Sequence, residues 1–298
     1  MEVTFAYFGE EIASSRLRAL IPLKELFKLG VKLGNDVIVY GKDWLTDNDL
    51  KKYGKRVYDV CDNHFDLDSK SAYYRKHVEL ADAVTCNSEV MRKIIKDKTG
   101  RDAIVIKEPY ESDEGRPDIG SKLLWYGHKN NIHDIARLAP KLKQPLLILS
   151  NFNGYPEWSP DSFNRAISSP CVVVIPTGVS QAKSENRMVE SIRRGRYVCA
   201  EYLPSYEPFD QFYPLGDIPE HLEIILDDPA YAITQIALAQ EYIRERYSPA
   251  TIGQHWYEVL KHAIDLRGST DSSGQPAAHH GVKRHLAGPD HYRGEANI

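Results

Sequence analysis

Short apolar runs alternate with amphipathic stretches along most of the chain. In the first half, five runs have the length and β-branched content of buried strands, and helical spacing of apolar residues separates several of them. Strands joined through helices imply right-handed crossovers and a parallel sheet. The first half is therefore predicted to be a doubly wound α/β domain. Its strands are predicted at residues 3–8, 36–40, 56–61, 83–87 and 103–107, and its helices at 15–29, 69–81 and 88–98.

The alternation is interrupted at residues 111–120, where Glu, Asp, Gly and Pro accumulate as they do in linkers. It then resumes, so we predict a second α/β domain that faces the first across a cleft. The predicted division is 1–115 for the first domain and 120–266 for the second. In the second domain, strands are predicted at 122–126, 145–150, 171–175 and 197–200, and helices at 133–142, 184–195, 218–226, 231–247 and 248–266.

The last segment, residues 267–298, is poor in hydrophobic residues and rich in Gly, Ser, Pro and His, and it shows no periodicity. This composition predicts a disordered tail. A metal site is disfavoured, because the histidines of the tail are irregularly spaced and have no partner ligands. These histidines are His279, His280, His285 and His291.

The composition, with 42% hydrophobic and 27% charged residues in 298, is ordinary for a soluble globular protein. No apolar run approaches the ~20 residues that span a bilayer, and the N-terminus begins with a predicted strand rather than a signal peptide. We therefore expect a cytoplasmic protein. The four cysteines are far apart and form no CxxC pair, which favours buried, reduced thiols over a zinc or redox motif.

The formal net charge is −4, and basic and acidic residues nearly balance in residues 1–118. The charge therefore gives no general attraction to nucleic acid. Local basic clusters occur at residues 51–56 and 92–101. We interpret them as solvated helix faces, with an anionic acceptor surface as the alternative.

One strand-to-helix junction carries the strongest candidate chemistry. The buried strand at residues 171–175 is followed by a Pro-Gly break and then by a helix that starts near residue 184. Ligands of open α/β sheets bind beyond the carboxyl ends of strands, and a helix N-terminus attracts anions. The candidate residues at this position are Lys183, Asn186, Arg187 and Glu190.

Lys183 and Arg187 are four residues apart and so share one face of the helix. Two cations at a helix start suit a diphosphate, and the nearby carboxylate of Glu190 suits the paired hydroxyls of a ribose. A charged helix face is ordinarily just solvated, but its position at a strand exit favours a function here. We predict a diphosphate site.

Two other strand exits are predicted to face the same cleft. After the first strand, Gly9 permits close approach of a ligand to the backbone, and Arg16 follows in the next helix. The pattern is not GxGxxG, and an ordinary turn with solvated arginines explains it equally well. The second exit, after residues 122–126, offers Gly127, His128, Lys129, Asn130 and Asn131.

Acidic residues and a histidine accumulate in YDVCDNHFDLD, residues 58–68, at the end of another predicted strand. Such groups act as a general base, bind a sugar hydroxyl or hold a divalent cation. Capping roles are the alternative, and the spacing of an EF-hand is missing. We select Asp62 and His64 as candidate catalytic residues and predict no metal.

The order and spacing of several segments resemble the GT-B glycosyltransferases, particularly the family 4-like group that uses nucleotide sugars. The resemblance covers nearly all of residues 1–266. It implies two Rossmann-like domains, with the acceptor mainly on the first and the donor mainly on the second, and a terminal helix that crosses back to the first. The segments are SSRLRALIPLKELFKLG, YDVCDNHF, ELADAVTCNSEVMRKII, LLWYGH, VVVIPTGVSQAKSENRMVESIRRGRYVCAEYLPSY and YSPATIGQHWYEVL.

The resemblance implies that Lys183 and Arg187 lie at the donor diphosphate and Glu190 at the ribose. Two departures stand out. The family often carries two glutamates separated by seven residues, and Ala182 occupies the first of these positions. The usual Asn-Gly-Val-Asp after the last strand of the first domain is replaced by Glu-Pro-Tyr-Glu at residues 108–111.

The expected function is therefore transfer of a sugar from a nucleotide-diphosphate sugar to an unidentified acceptor, with retention of configuration and without a required cofactor or metal. Lys183 and Arg187 would stabilise the leaving phosphate, aided by Gly9 and by Arg16 or Lys129, and either His64 or Asp62 would orient the acceptor or the sugar.

Alternatives are a GT-B-like nucleotide-sugar epimerase and a non-catalytic nucleotide-sugar-binding subunit. The acceptor is a glycan, a small molecule or a modified DNA base, and the nearly neutral first half disfavours DNA.

Overall fold

The structure is a computed structural model, and it describes residues 1–10, 12–42, 45–178 and 180–265. The predicted disordered tail, residues 267–298, lies outside the described residues together with its histidines. So does residue 266, the predicted end of the second domain.

Six parallel strands of the described chain form the first sheet, in the order β2-β1-β3-β4-β5-β6. At its centre, Val39 of β3 pairs with Phe5 of β1 on one side and with Val57 of β4 on the other. Strands that are buried on both faces are nearly continuous apolar runs, which is why the sequence pattern located most of them. The strands are β1 (Glu2–Phe5), β2 (Lys32–Leu33), β3 (Val37–Tyr40), β4 (Lys55–Val60), β5 (Ala83–Cys86) and β6 (Ile104–Val105).

Helices of the first half connect these strands. Helix α5 (Glu89–Thr99) begins after Ser88, whose side chain accepts a hydrogen bond from the amide of Met91. It ends at Gly100, which has a φ of 76°. A serine cap and a left-handed glycine are the usual signals of a helix start and end. The helices are α1 (Ala13–Ser15), a π-helical turn (Arg16–Leu20), α2 (Ile21–Lys28), α3 (Asp47–Leu50), α4 (Asp68–Leu80) and α5 (Glu89–Thr99).

The second sheet has four described parallel strands in the order β10-β9-β7-β8. These are β7 (Leu123–Tyr126), β8 (Leu146–Leu149), β9 (Val172–Ile175) and β10 (Tyr197–Ala200). The helices around it are α6 (Ile132–Leu138), α7 (Pro160–Ser168), α8 (Asn186–Arg193), α9 (Ile218–Asp227) and α10 (Pro229–Arg246), and short 3-10 turns lie at Lys129–Asn131, Ala139–Lys141 and Pro204–Phe209.

The last described helix, α11 (Pro249–Asp265), returns to the first half, as the resemblance implies. Trp256 packs edge-on against Phe5 with ring centroids 5.4 Å apart, and Leu260 belongs to the same buried cluster. Gly253 permits a close approach to α2, since a Cβ there would lie 2.4 Å from the Cβ of Glu25. The core of the first half is therefore completed by the far end of the chain.

Two parallel α/β domains with helices between their strands confirm the predicted fold class. All four cysteines are free thiols, as expected; three are buried and Cys61 is half-buried. Burial raises the pKa of the Cys171 thiol to about 11, which makes it a poor nucleophile at neutral pH. No helix within the described ranges has the length and hydropathy of a membrane-spanning segment.

Candidate functional site

A cavity of about 230 Å³ lies between the two halves of the molecule. Residues from both sheets line it, so neither half forms the site alone. Four of the sequence-predicted site residues belong to this lining: Asp62, Lys183, Asn186 and Arg187. The described residues that line the cavity are Ala13, Ser14, Leu17, Lys42, Cys61, Asp62, Asn87, Glu108, Asn131, Lys183, Ser184, Asn186 and Arg187.

The wall on the first half is built by the ends of three neighbouring strands. Lys42 comes two residues after β3, Asp62 two residues after β4, and Asn87 directly after β5. Because these strands are parallel and adjacent, their carboxyl ends meet at one edge of the sheet. The topology therefore brings together a cation, a carboxylate and an amide that are distant in sequence.

Lys42 forms an ion pair with Asp62. Burial by itself disfavours the carboxylate, but the charge and the hydrogen bond of Lys42 outweigh it and lower the pKa of Asp62. Asp62 is consequently an ionised hydrogen-bond acceptor at neutral pH. It can orient a hydroxyl group, and as a weak base it can receive the proton of one only late in a reaction.

The wall on the second half is built by the loop after β9 and the start of α8. The Nζ of Lys183 donates a hydrogen bond of 2.5 Å to Oδ1 of Asn131. Burial and the nearby charge of Arg187 lower the pKa of the Lys183 ammonium. An anion bound beside Lys183 and Arg187 would favour the charged form of Lys183.

Arg187 lies in the first turn of α8, where its Nη1 donates to the carbonyl of Tyr126 at 3.3 Å. The N-cap residue Glu185 makes no side-chain capping bond, so it leaves the first amides of α8 without a side-chain acceptor. Gly127 lies beside this arginine, and a Cβ there would come within 2.9 Å of the Trp125 ring. The absence of a side chain at Gly127 thus leaves room for the indole of Trp125, and Nη1 of Arg187 lies 3.4 Å from the position that a Cβ would take.

A buried carboxylate also lines the cavity, and we call the part of the cavity around it the inner end of the cleft. Glu108 is 8% exposed, and its Oε2 accepts a hydrogen bond of 2.6 Å from Oγ of Ser184. Burial raises the pKa of Glu108, although the charge of Arg18 opposes this effect. Arg18 itself is held by Asp59, with contacts of 2.5 and 3.0 Å.

Other predicted site residues lie elsewhere among the described residues. Arg16 pairs with Glu111 at 2.5 Å and donates to the carbonyl of Glu10 at 2.9 Å. Glu190 accepts a hydrogen bond of 3.2 Å from the amide of Glu111, and it also contacts Arg194 at 3.5 Å. Both side chains thus bind the segment that joins the two sheets, residues 106–122, which we call the connecting segment.

His64 is half-buried, and its Nδ1 lies 2.7 Å from the hydroxyl of Tyr74. Burial, followed by the charge of Lys70, lowers the pKa of His64, so its imidazole is neutral at pH 7. Neither His64 nor Gly9 is among the described residues that line the cavity.

His128 and Lys129 are exposed at the start of a 3-10 turn, where Nδ1 of His128 accepts a hydrogen bond from the amide of Asn130 at 3.3 Å. They lie near the cavity in sequence, since Asn131 lines it, but they are not part of its described lining. No group of three or more His, Cys, Asp or Glu side chains that could hold a metal occurs in the described part of the chain.

Sequence patterns did not identify Lys42, Asn87, Ser184 or Glu108 as site residues. The sequence contained a signal for Lys42 and Asn87, because Lys42 follows the predicted strand 36–40 and Asn87 ends the predicted strand 83–87, at the edge where ligands bind. Glu108 was recognised only as a departure from a motif. Its position in the cleft depends on how the two halves pack, which no local pattern reports.

No protein-family model matches the chain, and no curated protein matches it. Solved structures do resemble it. HepE of Anabaena, in complex with UDP-glucose, has a TM-score of 0.62 at 13% identity, with 88% of this chain and 100% of that chain covered. A glycosyltransferase from Rickettsia africae has a TM-score of 0.56 at 10% identity, with 89% and 85% covered.

An alpha-glucosyltransferase, in complex with UDP-glucose and DNA containing an abasic site, has a TM-score of 0.54 at 11% identity, with 87% of this chain and 98% of that chain covered. At such low identity these likenesses establish the fold and leave the activity to be argued from the site. With its two parallel α/β sheets and the cleft between them, the chain has the GT-B fold of the glycosyltransferases.

Proposed function

We propose that the protein transfers a sugar from a nucleotide-diphosphate sugar to an acceptor hydroxyl bound in the cleft. The observation that carries this proposal is the shared cavity of Lys183, Arg187 and Asp62, in which two cations from the second half and a carboxylate from the first half line about 230 Å³ of space. Similar structures contain UDP-glucose, which makes it the first donor to test.

Lys183, Arg187 and the start of α8 would bind the diphosphate. In the reaction, the bond between the anomeric carbon and the phosphate oxygen breaks, and the diphosphate keeps the electron pair. Fixed cations and helix amides stabilise the negative charge that grows there. They would take the place of a metal ion, so we propose that no metal is required.

The acceptor oxygen forms the new bond to the anomeric carbon, and its proton passes to Asp62 late in the reaction. Asp62, kept ionised by Lys42, would accept a hydrogen bond from the acceptor hydroxyl and orient it. His64 would support this wall from its position beside Tyr74. Retention of configuration is part of the proposal and rests on the resemblance.

We propose that residues 1–115 mainly bind the acceptor and residues 120–266 the nucleotide sugar, with a glycan or small molecule as acceptor. On the donor side, Glu190 would bind the ribose while Gly127, His128 and Lys129 approach the diphosphate. Gly9 and Arg16 would approach it from the first half. We also propose that the protein acts in the cytoplasm.

A thermal-shift panel of UDP, GDP, ADP and their sugar conjugates tests the proposal, because a ligand that binds the folded state raises its stability. We expect one nucleotide family to raise the Tm of the wild type. Lys183→Ala and Arg187→Ala should each reduce that rise. Lys143→Ala is the control, since Lys143 is exposed and pairs with Glu223 outside the cavity.

Turnover assays then separate the alternatives. A glycosyltransferase consumes the donor and releases nucleoside diphosphate, whereas an epimerase changes the sugar while it remains attached. A binding subunit would show a thermal shift without turnover. The absence of a shift with every nucleotide in the panel would contradict the proposal.

A further inference from the structure

The inner end of the cleft carries two hydrogen-bond acceptors that the roles of Lys183 and Arg187 leave unused. Glu108 lies in the segment after β6, and Asn87 follows β5 directly. Both line the same cavity as Ser184. They are 8% and 2% exposed, respectively, so bulk solvent satisfies little of their hydrogen-bonding capacity.

Asn87 is only half satisfied. Its Nδ2 donates a hydrogen bond of 3.1 Å to the carbonyl of Cys61. Its Oδ1 is buried and has no hydrogen-bond partner within the described part of the molecule. Buried polar atoms are nearly always paired, so an unpaired one that belongs to a cavity wall indicates a ligand with a donor group.

Glu108 also has acceptor capacity to spare. A carboxylate offers about four lone-pair positions. The hydroxyl of Ser184 uses one of them at 2.6 Å, and a hydrogen bond from the side chain of Asn87 uses another. A hydroxyl-rich ligand would supply donors to both Glu108 and Asn87, which points to a sugar rather than to a purely apolar group.

The position of Glu108 indicates whether this sugar belongs to the donor or to the acceptor. Ser184 directly follows Lys183, the proposed diphosphate ligand, so Glu108 lies next to the phosphate end of the cleft. In a nucleotide sugar, the transferred sugar is attached directly to the diphosphate. The sugar of the donor therefore lies closer to Glu108 than an acceptor on the far side of the anomeric carbon.

Residue 182 is consistent with this assignment. Ala182 is 4% exposed and belongs to the buried apolar cluster of the first half, with Ile38 and Tyr40 among its members. A charged side chain there would be buried among apolar groups at a high cost. The loop before α8 carries no carboxylate at residue 182. The carboxylate of Glu108, from the connecting segment, lies against this loop at Ser184.

We propose that Glu108 and Asn87 bind hydroxyl groups of the donor sugar and thereby determine which sugar is transferred. The inference rests on the proposed function, because it takes Lys183 and Arg187 as the diphosphate site. The proposed sugar subsite is formed by Asn87 of the first half and Glu108 of the connecting segment.

The test compares binding of a nucleoside diphosphate with binding of its sugar conjugate by isothermal titration. The probes are UDP with UDP-glucose, GDP with GDP-mannose and ADP with ADP-glucose, and the pair that stabilises the wild type most is used for the variants. Loss of a hydrogen bond to a charged group should weaken the sugar conjugate about tenfold in Glu108→Gln, with the diphosphate changed less than about twofold. Asn87→Ala should show the same selective loss.

Glu185→Gln is the matched control. Glu185 is also a buried carboxylate beside Ser184, but it binds Lys107 at 2.8 Å and Tyr247 at 3.0 Å and does not belong to the described lining. We expect this variant to lower the Tm while leaving the ratio of the two affinities unchanged.

Equal weakening of both ligands by Glu108→Gln, or no weakening of either, would overturn the sugar subsite while leaving the diphosphate site in place. Failure of every diphosphate to bind the wild type would instead overturn the proposed function, and the sugar subsite with it. Glutamine can still accept the Ser184 bond, so this variant should fold. If it does not, Asn87→Ala decides the question with the same pair of ligands.

Discussion

Ser184 donates a hydrogen bond of 2.6 Å to Glu108, a residue 76 positions earlier in the chain. This bond joins the loop before α8 to the segment that leaves the first sheet. Further contacts follow along the same helix: Lys107 pairs with Glu185 at 2.8 Å, and the guanidinium of Arg193 lies over the ring of Tyr110, 4.3 Å from its centroid. Helix α8, which carries Arg187, and the loop before it, which carries Lys183, are therefore fixed to the connecting segment.

Asp59→Asn should destabilise the protein strongly. Asp59 neutralises the buried Arg18, which also lies 5.3 Å from the ring centroid of Trp256. Loss of one partner of a buried ion pair leaves an uncompensated charge, which typically costs about 3–5 kcal/mol. Urea unfolding measures the loss.

The control for this prediction is an exposed ion pair. Glu223→Gln breaks the contact with Lys143, and both side chains are mostly exposed. Its effect should be below about 1 kcal/mol. Equal effects of the two substitutions would show that the Arg18 pair does not stabilise the core.

Trp256→Ala should destabilise the first half, although Trp256 lies near the end of the described chain. The side chain is fully buried in the cluster that contains Phe5 and Val3. Removal of a buried tryptophan typically costs about 3–5 kcal/mol. His255→Ala, at an exposed position of the same helix, is the control in the same urea titration. A loss confined to the second half, seen as separate unfolding steps, would contradict the packing of α11.

Stability should fall between about pH 6.5 and pH 4 because of His77. Burial lowers the pKa of His77 to about 4, and its Nδ1 lies 3.1 Å from the hydroxyl of Tyr40. A histidine in an unfolded chain has a pKa of about 6.5. As the pH falls, the unfolded state therefore binds a proton at His77 before the folded state does. Neutral His77 stabilises the fold fully above the unfolded pKa, and this stabilisation is lost as the pH falls towards the folded pKa.

His77→Gln keeps a hydrogen-bonding group for Tyr40 but does not titrate. It should reduce the fall in Tm between about pH 7 and about pH 5. The same fall in wild type and variant would assign the acid sensitivity to other groups.

Glu190→Gln tests the proposed ribose contact. Its carboxylate accepts a hydrogen bond from the amide of Glu111, and glutamine can keep that bond. Replacement of a charged acceptor for ribose hydroxyls should weaken nucleotide binding about tenfold in isothermal titration. A lower Tm with unchanged affinity would confine Glu190 to a structural role.

Periodicity located most strands and helices, because buried parallel strands are continuous apolar runs. It missed β2, whose two residues, Lys32 and Leu33, are both exposed and give no apolar signal. It also missed α7, although Ser159 and Pro160 form a standard helix start. There the capping signal was present, but no apolar period was recognised after it.

The phosphate end of the candidate site followed from local sequence, since Lys183 and Arg187 mark a helix start after a buried strand. The inner end did not. Glu108 and Ser184 meet only because the two halves pack against each other, and the burial of Glu108 results from that packing. Contacts between distant segments leave no periodic trace in the sequence.

The most direct test of the central claim is the release of nucleoside diphosphate from the nucleotide sugar that stabilises the protein most, with water or a mixture of sugars as acceptor. Loss of groups that stabilise transition-state charge typically reduces the rate by a factor of about 10²–10³. We therefore predict release by the wild type and by Lys143→Ala, with a loss of that size in Lys183→Ala and in Arg187→Ala. Release that is unchanged in both cleft variants, or absent from the wild type, would contradict the account.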